Sequence, residues 1–398
     1  MDELDLRVNG FLFSAVKAGI RGKDRLDLAL IYCTVPATAA GVFTTNQVKA
    51  APVLLGMERI KGGKAQAILV NSGIANACTG GEGMAKARGA SASVALALNI
   101  GEELVQVSST GVIGQQLDMA CFDHIPRLAS GLAADRAMDV AHAIMTTDTV
   151  PKVAKRTVTI SGQLITLVGM AKGAGMIQPN MATMLSYLMT DAAVSPVALQ
   201  QILSASVEQS FNRITVDGDT STNDTLLLLA SGKAGNDLIT DPRSEDAVLL
   251  QGAVNELTRD LALQIVADGE GATKLVTIRV EGAHTDWEAE LAARTVANSP
   301  LVKTAFFGQD ANWGRIIAAL GRSGCDFDPA MVDIAFDEVR IVANGLWLGA
   351  SAEVAATKVL QQKAFTVHIS LRQGHGACAI YTCDLSIDYV KINADYRS

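Results

Sequence analysis

Apolar positions recur at helical spacing over roughly 82–98, 135–145, 196–210 and 244–267, which predicts four helices. Ser195-Pro196 opens the third, and Asp241-Pro242 precedes the fourth, both signals that start a helix. Strands are predicted at 157–160 and 163–170 on either side of Ser161-Gly162, at 275–281 and at 331–343, where apolar and β-branched residues dominate. The run MLSYLM after Thr183 also reads as a strand. Near the C-terminus, FTVHISLRQGHGACAIYTCDLSIDYVKI predicts a hairpin about Gln373-Gly374 followed by a further strand. Helices and strands interleave, so the predicted class is mixed α/β.

Composition narrows the partners rather than the fold. A chain of 398 residues can bury a large core, and its length is that of two or three domain-sized units. No repeat or Pro-rich linker marks a boundary, and the acidic stretch 236–246 is too short to separate domains. Apolar residues make up 49% and charged residues 19%, with no uninterrupted apolar run of about 18 residues to span a bilayer. MDELDLRVNGF is acidic where a secretory signal is basic, so the expectation is a cytoplasmic protein. A formal charge of -8 offers no field for phosphate backbones or anionic lipid, and neither nucleic acid nor membrane is an expected partner. Six cysteines, Cys33, Cys78, Cys121, Cys325, Cys378 and Cys383, form no C-x-x-C pair and are expected to be reduced core thiols.

The chemistry-bearing residues exclude several mechanisms. Five histidines, His124, His142, His284, His368 and His375, are too dispersed for a metal spacing. DGDTSTND, Asp217 to Asp224, begins like a calcium loop, but its sixth position is Thr222 rather than glycine and its twelfth is Leu228 rather than glutamate. A capped polar turn is the better expectation, and no metal is predicted. One remaining route to nucleophilic catalysis is a residue whose own α-amine is its base, with a reference pKa of about 8. That route needs an internal cleavage, and spacing does not say which peptide bond breaks.

MAKGAGMIQPNMATMLSYLMTDA, Met170 to Ala192, resembles the cleavage region of the ornithine acetyltransferase family, in which the bond before the threonine of A-T-M-L is cut autocatalytically. Here that bond is Ala182-Thr183. The resemblance runs nearly the whole chain in family order: NSGIANACTG from Asn71, SSTGVIG from Ser108, MTTDT from Met145, DGDTSTNDT from Asp217, DGEGATK from Asp268, NSPLVKTAFFGQDANWGR from Asn298 and the C-terminal YVKINADY.

The resemblance implies an α/β sandwich formed jointly by an α fragment, 1–182, and a β fragment, 183–398, assembling as an α2β2 heterotetramer. It implies Thr183 as nucleophile and Thr110 and Gly111 as the oxyanion hole. It places substrate on Thr146, Lys172, Thr183, Glu270, Asn393 and Ser398, the last where many relatives end in threonine. The implied reaction moves acetyl from N2-acetylornithine to glutamate, releasing ornithine, with acetyl-CoA as a possible second donor and no bound cofactor. Lys172 suits a substrate carboxylate, Glu270 an ammonium group, and Thr146 and Asn393 the remaining polar atoms. Two alternatives stay open: a related acyltransferase or amidohydrolase of secondary metabolism, and an uncleaved amino-acid-binding protein.

Overall fold

The structure is a computed structural model that describes residues 4–22, 24–178 and 184–395. Ala182, Thr183 and Ser398 lie outside the described residues. The described residues form two compact units, one within 4–212 and 219–265 and the other within 213–218 and 266–395. Among the described residues, no helix is long and apolar enough to cross a membrane.

The first unit follows the order β1 (Phe11–Val16), β2 (Leu28–Phe43), α1 (Ala51–Arg59), β3 (Lys64–Ile74), α2 (Gly80–Leu98), β4 (Val105–Val112), α3 (Ile125–Ser130) and α4 (Ala137–Ala143). It continues with β5 (Lys152–Ile160), β6 (Gln163–Lys172), β7 (Leu185–Thr190), α5 (Pro196–Gln209), β8 (Thr225–Ala230) and α6 (Glu245–Ala267), whose last residues enter the second unit. The sheet runs β4-β3-β2-β8-β7-β6-β5, with β1 paired to β2. β7 (LSYLMT) and β8 (TLLLLA) are buried at every position, as befits central strands covered on both faces.

Alternation along the strands sorts residues between two cores. Leu28 and Leu30 of β2 pack with Leu55 of α1 and Ala87, Ala90 and Val94 of α2, while Ala29, Ile31 and Cys33 pack with Val140 and Ala141 of α4. This sheet with helices on both sides is the predicted α/β sandwich. The four predicted helices match α2, α4, α5 and α6. Ser195 caps α5 by accepting the Ala198 N–H, with Pro196 in its first turn.

The second unit contains β9 (Leu275–Ala283), α7 (Asp286–Ala297), α8 (Pro300–Phe307), α9 (Trp313–Gly321), β10 (Asp333–Phe336), β11 (Val339–Ala343), β12 (Leu346–Trp347), α10 (Ala350–Leu360), β13 (Ala364–Ser370), β14 (Gly376–Cys383) and α11 (Ile387–Asp395). Its sheet order is β12-β11-β10-β13-β9-β14. Three expectations are corrected here. The stretch 331–343 is two antiparallel strands, because Asp337 turns the chain at φ 46°. β13 and β14 are not a hairpin: β9 lies between them, parallel to β13 and antiparallel to β14. The connection crosses the end of β9 so closely that a Cβ on Gly374 would lie 2.3 Å from the Ala283 carbonyl oxygen. The final predicted strand is α11, opened by the Ser386 hydroxyl accepting the Asp388 N–H at 3.2 Å.

Phe306 anchors this second core, meeting Phe365 edge-on with ring centroids 5.4 Å apart. Phe306→Ala should destabilise the protein by about 3–5 kcal/mol. Urea unfolding followed by far-ultraviolet circular dichroism measures this, and a loss below about 1 kcal/mol would mean that the core refills the space.

Candidate active site

β4 delivers Thr110 and Gly111 to the sheet end, parallel to β3 and in register with Ser72 and Gly73. Gly111 adopts φ +129°, and a Cβ there would lie 2.2 Å from the Gly73 carbonyl carbon. Only glycine fits without moving backbone. The strand end is held by side chains: Ser109 Oγ donates to Asn71 Oδ1 at 2.6 Å, and Asn223 Nδ2 donates to the Ala75 and Ser109 carbonyls at 2.6 and 2.8 Å.

β6 brings Lys172 to the same place. Its Nζ donates to Thr110 Oγ at 3.3 Å, so Thr110 keeps its own hydroxyl proton for another acceptor. Lys172 also pairs in register with Leu185, the first residue of β7 and two positions beyond Thr183. Burial lowers the Lys172 ammonium from its ordinary range, against the raising effect of the Asp148 charge; Lys152 and Arg21 add to the lowering and Asp224 opposes it.

Thr146, the third implied substrate contact of this unit, is buried after α4. Its N–H donates to Asp148 Oδ2 at 2.8 Å, and its carbonyl accepts from Arg21 Nη2 at 2.9 Å. Arg21 Nη1 also donates to the Met145 carbonyl at 2.6 Å. Asp148 Oδ1 accepts the Gly173 N–H and Lys152 Nζ, both at 2.6 Å, and both side chains of that ion pair are fully buried. Burial alone would raise the Asp148 carboxyl, but the Lys172 and Lys152 charges and these hydrogen bonds hold it below the usual carboxylate range.

Asp224, beside the start of β8, shows the opposite balance. Its carboxyl is pushed well up by burial, which the Ser221 hydroxyl, the Lys172 charge and Thr44 offset only in part. Its Oδ2 has no hydrogen-bond partner among the described residues. The segment predicted as a capped polar turn thus contributes two buried groups, Asn223 and Asp224, to the surroundings of Thr110 and Lys172.

The second unit carries its own pair: Asn393 Nδ2 donates to Glu270 Oε2 at 2.7 Å, with Glu270 buried and Asn393 exposed. The structure therefore gathers Thr110, Gly111, Thr146 and Lys172 in the first unit and joins Glu270 to Asn393 in the second. Asp148, Arg21, Lys152 and Asp224 were missed from sequence, although Asp148 stands inside the quoted MTTDT and Asp224 inside DGDTSTNDT. Five cysteines are buried, as expected, but Cys78 is exposed. Among the described residues, no cluster of three His, Cys, Asp or Glu is placed to hold a metal.

A buried ammonium donating to a threonine hydroxyl, beside a glycine at a strand end, is the equipment of an α/β enzyme that binds an anionic group and steadies developing charge. The ArgJ family profile matches residues 12–398, and the chain belongs to the ArgJ family. It is 57% identical over 394 residues to the arginine biosynthesis bifunctional protein ArgJ of Desulfotalea psychrophila, covering 99% of this chain and 100% of that one. The protein of the same name from Geobacter sulfurreducens is 53% identical over 394 residues, with 99% and 100% covered. The crystal structure of the Bacillus halodurans arginine biosynthesis bifunctional protein argJ is 44% identical, with a TM-score of 0.51, covering 54% of this chain and 100% of that one.

Proposed function

We propose that the chain is a glutamate N-acetyltransferase that cuts itself between Ala182 and Thr183 and then carries acetyl on Thr183. The observation that carries this reading is the Lys172 contact to Thr110, at the strand end that Gly111 opens. Thr183 Oγ attacks the acetyl carbonyl of N2-acetylornithine while its α-amine takes the hydroxyl proton. The Thr110 hydroxyl and the Gly111 N–H receive the oxyanion, each such donor being worth about 3–4 kcal/mol of barrier. The amide C–N bond breaks, the proton passes to the departing ornithine amine, and an acetyl ester remains on Thr183. The amine of glutamate then attacks the ester, giving N-acetylglutamate and restoring the hydroxyl.

Lys172 holds the α-carboxylate common to both amino acids and Thr146 hydrogen-bonds nearby. Glu270, Asn393 and Ser398 take the amine end and the remaining polar atoms. One site serving two amino acids in turn makes the kinetics ping-pong. The relatives are named bifunctional, and in this reading acetyl-CoA is the second acetyl donor. In this reading the fragments 1–182 and 183–398 assemble as an α2β2 heterotetramer in the cytoplasm, with no bound cofactor.

Intact mass spectrometry of untagged protein, before and after brief exposure to N2-acetylornithine, tests both steps. The expected result is two species of about 19 and about 22 kDa, the larger gaining about 42 Da as a covalent acetyl. A single unmodified 41.6 kDa species would overturn the reading in favour of an amino-acid-binding protein.

A further inference from the structure

Asp148 occupies a place that the reaction as described does not use. It is buried, yet it joins three parts of the chain: the loop bearing Thr146, the end of β6 where Gly173 follows Lys172, and Lys152 at the start of β5. Arg21 closes the same loop from its other side through the Met145 and Thr146 carbonyls.

We propose that Asp148 is the positioning residue of the substrate-carboxylate subsite, fixing Thr146 and Lys172 relative to each other and supplying the negative charge that acts on the Lys172 ammonium. The proposal rests on the reading of Lys172 as the partner of the substrate carboxylate. Four charged groups act on Lys172: Asp148, Lys152, Asp224 and Arg21. Two are cations and oppose its charge. Of the two acids, Asp224 is pushed toward its neutral form by burial, whereas Asp148 is held ionised. Asp148 is therefore the stronger counter-ion. It also accepts two backbone N–H groups, so its charge and its geometry serve the same subsite.

The signs follow from these roles. Binding that needs the Lys172 ammonium is present below its pKa and lost as pH rises through it. Removing the Asp148 charge removes the main raising influence, so the alkaline limb of kcat/KM moves to lower pH. Removing the Lys152 charge removes a lowering influence, so the limb moves to higher pH.

The test compares three purified, processed variants using N2-acetylornithine and glutamate as substrates. Asp148→Asn should raise the KM for N2-acetylornithine at least about tenfold and shift the alkaline limb of kcat/KM down by about one pH unit or more. Lys152→Met, which keeps the Asp148 bonds to Thr146 and Gly173, should shift the limb upward. A merely structural role would lower activity without moving the limb in opposite directions. Lys172→Met is the reference. If it raises KM while the other two variants leave the limb in place, Asp148 has no such role and the reading of Lys172 stands. If it leaves KM unchanged, that reading fails and the proposal with it. Should Asp148→Asn not fold, an upward shift in Lys152→Met supports the proposal and an unmoved limb overturns it.

Discussion

Gly111→Ala is expected to lower kcat by at least about a hundredfold, the effect of losing one well-placed donor to an oxyanion. The added Cβ would sit 2.2 Å from the Gly73 carbonyl carbon and 2.4 Å from its oxygen, on a residue at φ +129°. Neither contact is with a flexible side chain, so β3 and β4 must separate or the Gly111 peptide must rotate. Either response carries the Gly111 N–H away from where charge develops. Steady-state kinetics measure the loss, and circular dichroism melting shows whether the fold survives. Thr110→Ala is the gentler companion: it removes a hydroxyl without straining backbone, and should reduce kcat while leaving KM nearly unchanged. A Gly111→Ala enzyme within threefold of the parent would remove this strand end from the chemistry.

Thr183→Ala should leave one uncut chain with no acetyl transfer, since both steps need the same hydroxyl. In the proposed scission, attack by Thr183 Oγ on the Ala182 carbonyl moves the acyl group from nitrogen to oxygen and frees the α-amine that later serves as base; water then opens the ester and restores the hydroxyl. Alanine has no oxygen to offer. Thr183→Ser keeps the oxygen and should still cleave, with an altered rate because the hydroxyl is less restrained without the methyl group. Denaturing gel electrophoresis and intact mass read the result directly. Two fragments from the alanine variant would place the scission, or its nucleophile, elsewhere.

The helices whose apolar spacing and caps are local were legible in the sequence: α5 begins at Ser195-Pro196 as read, and α6 ends at Ala267. What failed depended on distant partners. Gln373-Gly374 has the composition of a hairpin turn, but β9, some ninety residues earlier, takes the place between the two strands. IDYVKI reads as a strand from its apolar content, yet it forms α11, with the Ser386 hydroxyl accepting the Asp388 N–H at its start. At the site, resemblance supplied Thr110, Gly111, Thr146 and Lys172, which then proved to be neighbours in one unit. Asp148 was hidden because an aspartate in MTTDT looks the same in sequence whether it caps a solvated turn or is buried under two lysines. Burial is a property of the packed chain; it raises both Asp148 and Asp224, and only at Asp148 do the Lys172 and Lys152 charges and the hydrogen bonds outweigh it.

The strand order carries a consequence for a severed chain. β7 and β8 follow Thr183, yet they lie between β2 and β6, which precede it. The later piece would thus be laced into the earlier one along both edges, with β8 bonded to β2 and β7 to β6. Scission at 182–183 would cost the molecule a covalent link without opening a seam in this sheet, so the strands of both polypeptides in the first unit should melt together. Neither piece produced alone would own the complete eight-stranded sheet, and mixing them after separate synthesis should yield active enzyme only if they fold around each other.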